Sequence, residues 1–143
     1  MPTTYLLAGI IAIIGLHFAF PLRSIIMNAW RWLGVAPLIV GIFLNLHADH
    51  SFKRYGTAVR PFEKSSALVK DGVFRITRNP MYLGFVMILA AVAIFCGSIT
   101  PWIIVIVAAF LLDRVFIKPE ERILEREFGN KFREYKQNVR RWI

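Results

Sequence analysis

Two short stretches hold most of the residues able to do chemistry. One is "RITRNPMYLG", Arg75 to Gly84, where two arginines, a proline and a tyrosine stand at the edge of a long apolar run. The other opens on the adjacent carboxylates Glu120 and Glu121, just past another apolar run. Pro80 disfavours helix at Asn79 and suits the first turn of a helix, so a helix is expected to start there with Asn79 near its N-cap. The free N–H groups of that end can bind an anionic or polar group. Tyr82 and Gly84 follow within one turn, and Gly84 lets another backbone or a flat ligand approach closely. A well-capped membrane helix with an interfacial tyrosine reads the same residues equally well.

Other ionisable groups lie within or beside apolar sequence. Asp113 and Arg114 have apolar residues on both sides. Groups at such depth face protein or a water-filled cavity, and adjacent helical positions point about 100° apart, so the two should have separate partners. A snorkelling Arg114 and an Asp113 paired with the basic link is the plainer reading. His17 lies inside the first apolar run, where a bond to a neighbouring helix competes with a functional role. In "HADH", His47 and His50 flank Asp49, an arrangement too sparse to assign a metal, and none is assigned. The sequence has no G-x-G-x-x-G and no phosphate-binding P-loop, so the Rossmann route to a nucleotide is closed.

The elements that must position these residues are apolar helices. The 143-residue chain is 57% hydrophobic yet carries 18 Lys plus Arg against 9 Asp plus Glu. The basic residues sit between the apolar runs rather than on them, which fits a membrane protein better than a nucleic-acid binder. Four runs stand out: 5–20, 30–46, 81–96 and 99–117. None alternates with period two, so helices remain as the way to satisfy the backbone in lipid. The linker "GSIT" makes the last two an antiparallel hairpin. Arg23 lies between the first two runs and Arg31 at the start of the second, whereas 47–80 holds seven Lys or Arg and the tail from Arg114 holds nine. The positive-inside rule then puts both termini, the long link and the tail in the cytoplasm. The expected host is the inner membrane of a bacterium or an equivalent membrane. No cleavable leader is expected, because "MPTTY" carries no Lys or Arg. Cys96 is the single cysteine, so no intrachain disulfide can form.

The tail is amphipathic. Pro119 suits a first helical turn, the two glutamates follow where acids favour the dipole, and Gly129-Asn130 predicts a break into two short helices. By itself this pattern describes a basic helix resting on anionic headgroups. The whole is thus an all-α membrane bundle of four transmembrane helices with a cytoplasmic, amphipathic C-terminal segment. It is one domain over 1–143, with the link 47–80 and the tail 118–143 on the same side.

"SSALVKDGVFRITRNPMYLG" followed by "PEERILEREFGNKFREYKQNVRRW" resembles the superfamily of isoprenylcysteine carboxyl methyltransferases and phospholipid methyltransferases. These are integral-membrane enzymes that use S-adenosylmethionine. The resemblance runs from Ser66 to Trp142, somewhat over half the chain. It implies a cofactor site built from Ser66, Ala67, Leu68 and Val69, from the aromatic position Phe74, from Arg78, Asn79, Pro80, Met81 and Tyr82, and from Glu120 with Glu121. The carboxylates would take ribose hydroxyls or the ammonium. N–H groups near Asn79 with Arg78 would take the carboxylate, and Phe74 and Tyr82 would line the adenine or sulfonium.

Two positions depart from the carboxyl methyltransferase branch. Asn79 stands where that branch has His, and Phe116 where it has Arg, leaving Arg114 as the nearby candidate for the substrate. No catalytic base is assigned, since a carboxylate acceptor is already ionised, an amine need only be neutral and a thiol need only be a thiolate; all three acceptor types stay open. The implied acceptor is lipophilic or lipid-attached and meets the cofactor at the cytoplasmic membrane face, with no nucleic acid involved. Membrane sterol reductases, which use NADPH, look similar over their C-terminal part; the short chain and the glutamate pair favour the methyltransferase. A non-enzymatic membrane protein retaining the pattern is the third reading.

Overall fold

The computed structural model describes residues 2–20, 22, 24–57 and 66–143. Arg23, Arg60 and Lys64, which enter the charge count above, lie outside the described residues. Helix α1 spans Pro2–Ala19, and a 3-10 turn, Asn28–Gly34, leads into α2, Val35–Arg54. A second 3-10 turn, Gly72–Arg75, precedes α3, Pro80–Cys96. Helix α4, Pro101–Leu112, passes through a π-helical turn, Asp113–Ile117, into α5, Lys118–Phe128, and α6 covers Asn130–Asn138. No strand occurs among the described residues; an isolated bridge joins Ser24 to Ser98.

Three boundaries differ from the sequence reading. Helix α2 runs on to Arg54, so "HADH" is helical and the link is shorter than 47–80. The fourth run starts at Pro101, because Ile99 and Thr100 belong to the turn. It then enters the tail with no loop. Pro119 cannot donate an N–H to the preceding turn, and the helix widens just before it instead of stopping. The break at Gly129 is present: its φ of +50° ends α5.

Helix α3 is the centre of the bundle, with α2 packed along one side and α1 and α4 along the other. Its apolar residues are needed all round, because it has neighbours all round. Ile13, Leu89, Ala93 and Val105 form the core between α1, α3 and α4. On the α2 side the backbones nearly touch: a Cβ on Gly41 would lie 2.7 Å from the Gly84 carbonyl oxygen, and a Cβ on Gly84 the same distance from that of Gly41. The close approach that Gly84 permits is therefore that of another helix.

Outward faces of α1, α2 and α4 carry a belt of exposed apolar side chains, among them Leu7, Ile11, Phe18, Ile39, Phe43, Ile106 and Phe110. A belt this extensive calls for apolar surroundings. One described helical stretch, Asn28–Arg54, is by length and composition able to cross a membrane, and Thr3–Ala19 and Pro80–Cys96 are shorter apolar helices.

At the end of α3 formed by Cys96, several polar groups pair with one another, while Arg31 Nε and Trp102 Nε1 are buried without a hydrogen bond. His17 Nδ1 lies 2.8 Å from Ser98 Oγ, so this histidine of the first apolar run is bonded to the α3–α4 turn. Thr100 donates to the Phe20 carbonyl, and the Ile25 and Ile26 amides donate to that of Gly97.

Candidate functional site

At the other end of the bundle, the first turn of α3 lies among the link, the π turn, α5 and the C-terminal segment. Adjacent residues on α5 diverge by about 100°, so its two carboxylates reach different partners. Glu120 Oε1 accepts the Tyr82 hydroxyl at 2.5 Å. Glu121, only 6% exposed, accepts Arg78 at 3.1 Å and Arg141 at 2.6 Å and 3.3 Å. Sequence reasoning treated the glutamates as one pair; the fold makes one a member of a buried ion-pair network and leaves the other beside an aromatic.

Burial pushes the Glu120 carboxyl up to about 7, against the weaker opposing effect of the Tyr82 hydrogen bond. The Tyr82 ring stacks on Phe116, centroids 5.8 Å apart, and Phe116 meets Tyr5 edge-on at 5.1 Å. Tyr82, Phe85, Leu112, Phe116 and Ile117 form one apolar cluster, with Leu6, Val86 and Trp142 against it. Tyr5, Phe85 and Leu112 also line an apolar groove of about 160 Å³ between α1, α3 and α4. Small residues, Ala8, Gly9, Ala12 and Ala108, leave this space. The groove and the Tyr82–Glu120 pair are thus joined by a continuous run of aromatic and aliphatic side chains.

The remaining predicted residues lie on the α2 side. Val69, Val73 and Phe74 are buried with Leu44 and Ala48, and Phe52, Met81 and Leu83 pack against them. Phe74 meets the Phe52 ring at 5.3 Å, and its carbonyl accepts the Tyr135 hydroxyl at 2.6 Å. Ala67 and Leu68 are half-buried. Ser66 is exposed; its amide donates to Thr57 Oγ1 and its hydroxyl to the Gly56 carbonyl. Pro80 is fully buried where the two sides meet.

Asn79 occupies the N-cap position of α3, but its side chain does not cap. Its amide donates instead to the Arg141 carbonyl at 3.1 Å, because the returning chain end offers a closer acceptor. Arg78 is held by Glu121 and by the Lys136 carbonyl, while its buried Nε makes no hydrogen bond.

Arg114 lies at the edge of this group, its Nε 4.0 Å from Asp113 Oδ2, so the two neighbours are not as fully separate as expected. The Arg114 side chain is 57% exposed and lies over the Phe110 ring at 4.8 Å. Asp113 pairs with Arg141 at 3.1 Å and Lys118 at 3.5 Å. The partner expected from the basic link therefore comes from the tail and α5, which the uninterrupted α4–α5 path brings alongside. Arg141 is the functional candidate that sequence reasoning missed. Its only local signal was a basic residue near an aromatic chain end, which fits a headgroup contact just as well. His47 packs against Phe43, and among the described residues no three His, Cys, Asp or Glu side chains converge as metal ligands.

Residues 29–131 match the family model described as phospholipid methyltransferase. An uncharacterized protein of Haemophilus influenzae is 40% identical over 63 residues, covering 44% of this chain and all of that protein. The methanethiol S-methyltransferase of Pseudomonas deceptionensis is 32% identical over 130 residues, 82% of this chain and 45% of that enzyme. Among solved structures, the eukaryotic intramembrane Ras methyltransferase, isoprenylcysteine carboxyl methyltransferase, shares the fold. Its TM-score is 0.70 at 23% identity, over 99% of this chain and 51% of its own. The chain thus spans about half the length of these two methyltransferases.

Proposed function

Because the chain belongs to the phospholipid methyltransferase family, we propose that it is a membrane methyltransferase that uses S-adenosylmethionine to methylate a lipophilic or lipid-attached acceptor. The observation that carries this reading is Glu120: a carboxylate drawn out of water and bonded to Tyr82, whose apolar cluster shares Phe85 and Leu112 with the groove. Bound there, S-adenosylmethionine supplies an electrophilic methyl group on a cationic sulfonium.

The residues present fit such a group. Glu120 and the face of Tyr82 suit its cationic portion. The N-terminus of α3 with the free Nε of Arg78 suits its carboxylate. Val69, Phe74 and Met81 give an apolar wall to the adenine side, and Ser66 to Leu68 bring backbone to its rim. Arg114, lying over Phe110 at the edge of α4, suits an acidic group of the acceptor at the membrane surface. The acceptor's apolar part enters between α1 and α4, past Tyr5 and Leu112. Chemistry then rests mainly on holding acceptor and methyl group in line in a dry site, which supplies several kcal/mol without a dedicated base.

Four crossings by α1, α2, α3 and the α4–π segment, with both termini cytoplasmic, agree with the distribution of basic residues. Reagent accessibility of single cysteines in the tail and in the α3–α4 turn tests this topology; labelling of both from one side would defeat it.

The function is tested by titrating the purified protein in mild detergent with S-adenosylmethionine, S-adenosylhomocysteine and NADPH. The proposal expects thermal stabilisation by the first two and none by NADPH. Stabilisation by NADPH alone would move the chain to a reductase reading.

A further inference from the structure

The chain end turns back across the site. After α6, Val139 is extended, with φ −127° and ψ 131°. The Arg78 amide donates to the Arg140 carbonyl at 3.0 Å. Thr77 Oγ1 and the Asn79 side-chain amide both donate to the Arg141 carbonyl at 3.1 Å. The Arg141 guanidinium then bridges Glu121 and Asp113, and Trp142 packs against the Tyr82 cluster. All of these chain-end residues lie beyond the 29–131 stretch that the family model covers.

From these contacts, and resting on the function proposed above, we infer that residues 140–142 are a strap that completes the cofactor site. Arg141 is its positioning residue, acting through Glu121 on Arg78.

Glu121 is buried and needs its charge compensated. Arg141 supplies two nitrogens to it, so Arg78 gives it only one, NH2 at 3.1 Å. The second terminal nitrogen of Arg78 reaches the Lys136 carbonyl at 3.4 Å, and its buried Nε makes no hydrogen bond, two residues before Pro80 opens α3. Without Arg141, the uncompensated carboxylate draws Arg78 into a two-nitrogen pair, the preferred geometry of guanidinium and carboxylate. That turn of the side chain removes Nε from the place where the carboxylate of the cofactor would bind.

The test is calorimetric titration of wild type, Arg141→Gln and Arg141→Lys in detergent with two ligands. S-adenosylhomocysteine carries the amino-acid carboxylate. 5′-Methylthioadenosine keeps the nucleoside and thioether and lacks the amino-acid portion. Arg141→Gln should weaken the first about tenfold and leave the second unchanged, the loss expected for one charge-assisted hydrogen bond. Arg141→Lys, which keeps a cation beside Glu121, should fall between. Equal weakening of both ligands would mean a general structural role and would overturn the assignment, as would unchanged binding of both. If wild type binds neither ligand, it is the proposed function that fails. The strap is then read from amide exchange: faster exchange at 77–83 in Arg141→Gln supports it, and unchanged exchange refutes it.

Discussion

Replacing Glu120 by Gln is expected to stabilise the protein above neutral pH while removing cofactor binding. In the folded protein this carboxyl is held at about 7 instead of the usual 4.5, with burial the leading cause. The unfolded chain releases the proton near 4.5. Stability is therefore fully present below that value and declines as pH rises, until the folded carboxyl too has ionised near 7. The displacement corresponds to about 3 kcal/mol, and solvent at the exposed edge of the side chain reduces this to about 2 kcal/mol. Gln keeps an oxygen to accept the Tyr82 hydroxyl and carries no charge to desolvate. Thermal unfolding of wild type and Glu120→Gln in the same detergent, from about pH 4 to about pH 8, reads the difference directly. The variant should gain on wild type across that interval and end roughly 6 °C above it. S-adenosylhomocysteine binding should be lost throughout. A difference that stays flat with pH, or a variant that loses stability at high pH, would refute the claim that this carboxylate is desolvated.

Other residues make separate tests. Tyr82→Phe removes a donor that favours the ionised Glu120, so the pH midpoint of S-adenosylhomocysteine binding should rise by up to about one unit; a downward shift would contradict the pairing. Gly84→Ala puts a methyl group against the Gly41 carbonyl and the Asn45 amide, and should cost about 1–3 kcal/mol in denaturant unfolding. Ala108→Phe fills the groove, so transfer to a long-chain acceptor should fall at least about tenfold while S-adenosylhomocysteine affinity stays within about twofold, measured by radiolabel transfer and titration. Tyr135→Phe leaves the buried Phe74 carbonyl without its partner and should cost about 1–3 kcal/mol of stability.

The helices were legible because their signals are local. Long apolar runs give no period-two pattern, Pro80 marks the start of α3, and Gly129 marks the end of α5 with a positive φ that other residues adopt at a cost. The segment 66–82 and the two glutamates stood out as candidates by their residue types and by resemblance, since both runs of sequence are compact. What stayed hidden was how they divide. Neighbours in sequence such as Glu120 and Glu121 face different ways on a helix, and which meets Tyr82 and which meets Arg78 depends on how far the π turn rotates α5. Arg114 and Arg141 look alike as sequence, yet one lies exposed over Phe110 while the other closes a buried network. Sequence alone determined an all-helical chain with its charge gathered outside its apolar runs, because backbone satisfaction and hydropathy act over a few residues. Only the tertiary structure decided which charged groups meet at Glu121, because those partners lie 20 residues away in Arg141 and 43 in Arg78 along the chain. Their meeting is set by the packing of α3 between its neighbours.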